Sequence, residues 1–457
     1  MDINKTFEKY IDFYQNNAGN LKLSEAKSLY THRQNAFEKF RKLGIPDNKN
    51  EKYRNFNFDE ICNKDYEFVF QPGKTNVDLK EFFQCEVEDM DTHVILLSNG
   101  GYYSGNKEIT DLPEGVIICG LNEAKEKHLK IVEKYYNKYA DKIDDGIISL
   151  NTMLANDGLF IYVPENVKIN KTIQLVNLTH GFGNKNIFKR NLFILDKSSS
   201  LKLIICDHTL NNSNNFVIDV TETFIEENAG LEYYTLQNEP NRSAVINSIL
   251  VNQEKYSNFS GLALSLHGGI IRNNIYTKLA GEFSNADIYG LFLTDRDQRI
   301  DNYTFIDHAV PDCKSNELFK GILDDSARGS FTGRILVRKD AQKTEAYQTN
   351  KNLCLTSDAK MITKPQLEIY ADDVKCSHGA TVGQLDENAL FYLRTRGIDK
   401  KEARLMLMSA FADDIIRNIN IEALQKRISG LVNSRLRGEL SDCSHCLLNC
   451  SGKKVLG

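Results

Sequence analysis

From about residue 158 to residue 383 the sequence repeats one kind of segment, a short run with alternating character closed by Gly, Asn, Asp or Ser. The runs are LFIYVP (159–164), NLFILD (191–196), LKLIIC (201–206), FVIDVTETFIE (216–226), DIYGLFL (287–293), NYTFID (302–307), FTGRILV (331–337) and QLEIYA (366–371). In FTGRILV, Phe331, Gly333, Ile335 and Val337 share one face while Thr332 and Arg334 point to the other, as a period of two demands. Helical segments hardly interrupt this stretch, which argues against a doubly wound α/β sheet and leaves a sandwich, a barrel or a parallel β-helix. Irregular spacers without clean hairpin turns favour the β-helix, although no repeat of fixed length aligns.

The flanks read differently. Residues 1–60 are helical in pattern: Leu23–Leu43 is rich in Glu, Lys, Ala and Leu and stops at Gly44 and Pro46. Residues 61–157 are mixed, with HVILLSN (93–99) and GVIICGL (115–121) as buried strands and Glu123–Tyr139 as a charged helix. The β core is expected over 158–385, and from Asp386 to about 440 the period becomes helical. Asp386 and Asp399 are candidate N-caps, the second with Glu402 at the capping-box position, and Gly397 is a candidate stop. Ala403, Leu407, Ala410, Phe411 and Ile415 form an apolar stripe, and Leu424, Ile428, Leu431, Val432 and Leu436 form another. Such stripes either pack on their own domain or dock a partner, with Leu407, Phe411 and Ile415 as the candidate docking residues. Residues 441–457 are a Cys-rich tail.

Composition narrows the function. With 57 basic against 62 acidic side chains, no excess positive charge is available to track nucleic acid. No apolar run approaches the roughly 18–20 residues of a membrane span. The charged start MDINKTFEKYID and ten cysteines without a compact secreted framework point to a cytoplasmic chain. There is no GxGxxG opening a βαβ unit, no HExxH and no GxSxG. The one GKT, Gly73–Thr75, has Phe68 where a phosphate loop needs its first glycine, so no nucleotide is expected on this chain itself. These absences favour a binding or scaffolding role over an enzyme.

Two clusters carry chemistry. In DDVKCSHGATVGQ (372–384) an extended backbone puts Cys376 and His378 on one face, where a thiolate and an imidazole suit zinc or iron. Two ligands are too few, so the others come from elsewhere in the chain, from a second subunit or from the cargo. Alternatively, Cys376 fills a strand interior and His378 caps the turn at Gly379. In SDCSHCLLNC, Cys443, His445, Cys446 and Cys450 form either a zinc or cluster site or an unliganded tail. His267 and His308, each at a strand end, read as hydrogen-bonded structural residues. Asp295, Asp297 and Asp301 are interleaved with Arg296 and Arg299, which favours a solvated turn over an acid–base pair or a calcium site.

The longest of these stretches, DDVKCSHGATVGQLDENALFYLRTRGI (372–398), resembles the SufB/SufD family of iron–sulfur cluster assembly proteins, as does IDNYTFIDHAVPDCKSNELFKGILDDSARGSFTGRILVRKDAQKTEAYQTNKNLCL (300–355). RQNAFEKFRKLGIP (33–46) and LFIYVPENVKINKTIQL (159–175) extend the likeness more weakly. SufB carries Glu and His before an Ala-Thr-Thr and a Cys after Phe-Tyr, whereas KCSHGATVGQ and Phe391-Tyr392-Leu393 are similar to the SufD branch. Tyr53 stands where relatives often have tryptophan. The resemblance implies a right-handed parallel β-helix flanked by helical regions, pairing with a SufB-like paralogue through β-helix edges, and docking of a SufC-like ABC-type ATPase on the C-terminal helices. It further implies that His378, with Cys376, faces a transient iron–sulfur cluster whose thiolate ligand comes from SufB, and that ATP-driven closure of SufC opens this interface. A homodimer is compatible with the chain on its own. The competing expectation is a stand-alone zinc or iron protein that uses the Cys443–Cys450 cluster.

Overall fold

The computed structural model describes residues 3–70, 90–106, 109, 111–210 and 213–439. Three helices open the chain: α1 (Ile3–Ser24), α2 (Lys27–Leu43) and the single turn α3 (Asp59–Cys62). α2 stops where Gly44 takes a φ of 69°, a conformation that costs glycine little. Leu23 belongs to α1 rather than to α2, because Ala26 is extended between them.

The mixed region holds β1 (Glu67–Val69), β2 (Thr92–Ser98), β3 (Gly101–Tyr102), β4 (Ile117–Gly120), α4 (Leu121–Lys127), α5 (Leu129–Tyr135) and α6 (Gly146–Leu154). The single helix expected over Glu123–Tyr139 is two. His128 breaks it, and beyond α5 the Glu222 carboxylate collects the backbone N–H groups of Asn137, Tyr139 and Ala140, holding that segment out of a helix.

Sixteen strands then follow. They are β5 (Leu159–Val163), β6 (Thr172–Thr179), β7 (Lys185–Leu195), β8 (Ser200–Thr209), β9 (Phe216–Ile225), β10 (Gly230–Asn238), β11 (Ala244–Gln253) and β12 (Asn258–His267). The second half comprises β13 (Ile270–Leu279), β14 (Asn285–Thr294), β15 (Arg299–His308), β16 (Lys314–Leu323), β17 (Arg328–Val337), β18 (Thr344–Cys354), β19 (Lys360–Ile369) and β20 (Val374–Gly383). Odd strands stack in parallel in one sheet and even strands in the other, so the chain winds as a β-helix of about seven turns. Leu201, Leu231, Phe259, Ala286, Ser315, Ala346 and Cys376 stand in one column, with spacings that vary between 27 and 31 residues. That drift is why no fixed repeat aligns: the strands keep register, and the turns absorb the difference.

The space between the sheets is filled by Leu203, Phe193, Leu231, Phe259, Phe319 and Phe331, among others. Outside the odd sheet, Tyr10, Phe40 and Tyr53 of the N-terminal region pack on Phe188, Ile218 and Ile246. Outside the even sheet lie α7 (Glu387–Thr395), α8 (Lys400–Ile416) and α9 (Glu422–Leu436), whose Met408, Ile415 and Ile428 pack on Tyr234, Leu264, Leu291 and Ile322. Middle strands are thus covered on both faces, and every residue of β9 is buried, including Asp219 and Glu222.

The two ends of the stack differ. At the N-terminal end, β3 and β4 run antiparallel to their neighbours β2 and β5 and close the winding. At the other end the sheets simply stop at β19 and β20.

Candidate functional site

A parallel rung satisfies half of its backbone groups with the strand below and leaves the other half for the strand above. β20 pairs with β18 alone, and β19 with β17 alone. None of the residues of β19 or β20 is buried, against all ten of β9. The edge carries charge, with Lys360, Lys364 and Glu368 on β19 and Lys375 on β20, as edges that must not pair indiscriminately do.

Cys376 and His378 sit on this last strand. Their register partners, Ala346 and Gln348, point into the core between the sheets, so both side chains face the same interior column. Cys376 is half-buried against that core, and burial pushes its thiol up while the Ala346 backbone partly offsets this. His378 points inward by register, yet it is exposed because no further rung covers it. Cys376 and His378 thus share one face, as an extended backbone requires. The thiol packs on a strand interior, and the imidazole is offered at an open end. Gly379 lies within β20 and is not a turn, which removes the capping role for His378.

Two family models divide the chain between them. The description "SUF system FeS cluster assembly, SufBD core domain" matches residues 178–411, and "SufBD protein N-terminal region" matches residues 4–175. The chain belongs to the SufBD family. An iron–sulfur cluster assembly SufBD family protein of Synechocystis is 27% identical over 421 residues, 90% of this chain and 92% of the relative. The iron–sulfur cluster assembly protein SufD of Escherichia coli is 33% identical over 296 residues, 64% of this chain and 70% of that one. Its Bacillus subtilis counterpart is 26% identical over 409 residues, 88% and 92% of the two chains. The protein is accordingly an iron–sulfur cluster assembly component of the SufBD family.

In this SufBD chain the C-terminal stripes turn inward. Ile415 is 1% exposed and packs in the chain's own core, so it does not offer a docking surface. Phe411 is half-buried, with Lys320 Nζ lying 4.3 Å from its ring centre and donating to its carbonyl oxygen at 2.9 Å. Leu407 is half-buried and Ala410 exposed; the buried line of α8 is instead Ala403, Leu405, Met408, Ala412, Ile415 and Ile416. A single helical stripe misplaces this line because α8 packs on α9 as well as on the sheet. The apolar side chains left outside are Phe391 and Tyr392 of α7 and Met406 of α8. The N-caps stand as expected: Asp386 accepts from Asn388 and Ala389, and Asp399 from Lys401 and Glu402.

His267 and His308 are hydrogen-bonded structural residues. The first meets the Glu239 carbonyl and the second the Ser315 hydroxyl, each at 2.8 Å, and burial brings His308 down to about 3. Asp295 is held by Arg435 of α9 at 2.7 Å, and Asp301 by Arg272 and Ser330, partners too distant in sequence to be foreseen. Tyr53 is fully buried, bonded to Asp145 and stacked 3.9 Å from the Arg272 guanidinium. Among the described residues all six cysteines are free thiols, and no three His, Cys, Asp or Glu side chains converge to hold a metal. Cys443, His445, Cys446, Cys450 and the Gly73–Thr75 segment lie outside the described residues. Among the described residues no helix is long and apolar enough to cross a membrane.

Proposed function

We propose that this chain is a non-catalytic scaffold whose open β-helix end pairs with a SufB-like paralogue, while its C-terminal helices dock a SufC-like ATPase. The observation that carries this reading is the uncapped end: two edge strands paired on one side only, with Lys360, Lys364 and Glu368 along β19 and Cys376 and His378 on β20. A second β-helix end would satisfy those backbone groups, and a thiolate from the partner would complete a ligand set that a half-buried thiol and one imidazole cannot. The nascent iron–sulfur cluster is cargo at this interface, with His378 as its main contact from this chain. Docking of the ATPase falls to the exposed surface around Phe391, Tyr392 and Met406, because Ile415 is already covered.

Native mass spectrometry on the chain co-expressed with SufB- and SufC-like proteins tests this reading. A complex of all three, with the ATPase lost when residues 386–437 are deleted, supports it. A chain that stays alone with stoichiometric zinc or iron overturns it and makes Cys443, His445, Cys446 and Cys450 the leading site. In the assembled complex, His378→Ala should abolish cluster assembly without dissociating the subunits, and unchanged assembly would refute the role of His378.

A further inference from the structure

A polar column runs from the buried interior of the β-helix to its open end. Glu317 of β16, Gln348 of β18 and His378 of β20 are register neighbours on successive even strands and face the same interior. Gln348 is 1% exposed, and its Nε2 donates to Glu317 Oε2 at 2.6 Å. Glu317 is fully buried; burial pushes its carboxyl up to about 7, while the hydrogen bond from Gln348 opposes that rise. Across the core, Gly333 of β17 makes room for this amide, because a Cβ there would lie 2.3 Å from Gln348 Nε2.

The arrangement decides which way the amide faces. A carboxylate only accepts, so Glu317 takes the nitrogen side of Gln348 and leaves the oxygen side for something else. Gln348 Oε1 is buried with no hydrogen-bond partner, which is costly unless a donor arrives. The next rung up carries His378, whose imidazole makes no side-chain hydrogen bond among the described residues. Imidazoles that bind metals are generally held this way, with one ring nitrogen donating to a fixed acceptor and the other left bare.

We propose that Gln348, oriented by Glu317, is the positioning residue of His378: its Oε1 accepts one imidazole N–H, so that the other ring nitrogen faces out of the open end unprotonated. The proposal rests on the reading of His378 as the metal-facing residue, but its test needs no metal.

The full chain is labelled with 15N-histidine, and His378 is assigned by its disappearance in His378→Ala. At pH 8 the wild type should show one neutral tautomer of His378 in about tenfold excess, the ratio that one net hydrogen bond supports. Gln348→Leu should collapse that excess to the mixture of an unrestrained imidazole. Glu317→Gln, which keeps the shape and lets the amide turn, should reduce the excess severalfold; it also stands in for Gln348→Leu if that variant does not fold. An unrestrained mixture in the wild type, or an unchanged ratio in both variants, overturns the proposal. Intact cluster assembly in His378→Ala refutes the reading beneath it in a separate experiment, so the two failures are told apart.

Discussion

Two arginine–glutamate pairs on the outer face of the odd sheet share one geometry in different surroundings. Arg190 of β7 meets Glu222 of β9 at 2.6 Å with the side chains 1% and 0% exposed, and Arg334 of β17 meets Glu368 of β19 at 2.6 Å with 37% and 32% exposed. In each, the glutamate stands two residues beyond the arginine's register partner, Val220 in one case and Gln366 in the other. The winding repeats the contact, but what covers it does not repeat. Over the middle rungs lies the mixed region, whose backbone N–H groups also bind Glu222; at the end the cover thins to Phe305 and to Glu51, which pairs with the neighbouring Lys364, and the pair stays partly open to solvent. The middle of the β-helix is therefore committed to the fold, and its last rungs are free to meet another molecule.

Breaking the buried pair tests the first half of that contrast. Glu222→Ala leaves the buried Arg190 guanidinium with neutral partners alone and three backbone N–H groups unpaired, and should cost about 3–5 kcal/mol in urea unfolding. A loss below about 1 kcal/mol would erase the distinction between the two regions.

Glu317 gives the next largest effect, and it depends on pH. Burial raises its carboxyl to about 7, above the unfolded value near ~4.3, so the folded chain holds this proton more tightly. Its contribution is full below about pH 4 and is lost as pH rises through 7. Glu317→Gln should then gain up to about 3 kcal/mol over the wild type at pH 8 and nothing at pH 4. Parallel stability–pH curves for the two proteins would refute this.

Glycines sharpen the comparison. A Cβ on Gly321 would lie 2.3 Å from the Phe292 ring, whereas Gly379 on β20 has nothing within 4 Å. Gly321→Ala should cost about 1–3 kcal/mol, and Gly379→Ala should stay within about 0.5 kcal/mol in the isolated chain. The partly exposed pair has a similarly small effect: Glu368→Ala should cost at most about 0.5 kcal/mol and less in high salt. A cost of several kcal/mol there would mean that the end is covered in solution, as it would be in a homodimer.

Much of the β-helix was legible, for identifiable reasons. FTGRILV and LFIYVP show their strands because inward and outward residues alternate, and Asp386 and Asp399 mark helix starts because capping needs only local neighbours. The turns were illegible. The seven corners between β5 and β18 that lead from an odd strand to the next even one each carry a left-handed residue, yet these are Asn166, Ser198, Asn228, Tyr256, Phe283, Asp312 and Lys343, which share no turn signature. Of the candidate site, Cys376 and His378 could be placed on one face from spacing alone. Gln348 and Glu317 could not, since a polar residue in a strand run reads as solvent-facing until the opposite sheet is in place.

The sequence by itself determined the period of two, the helical flanks, the caps and the shared face of Cys376 and His378, because each depends on a few bonded neighbours. Only the tertiary structure decided which residues stack across rungs some thirty positions apart, that Ile415 turns inward, that Arg435 reaches Asp295, and that β20 is the last rung. Those outcomes follow from burial and from unpaired backbone groups, which exist only once two sheets and their covering helices are packed together.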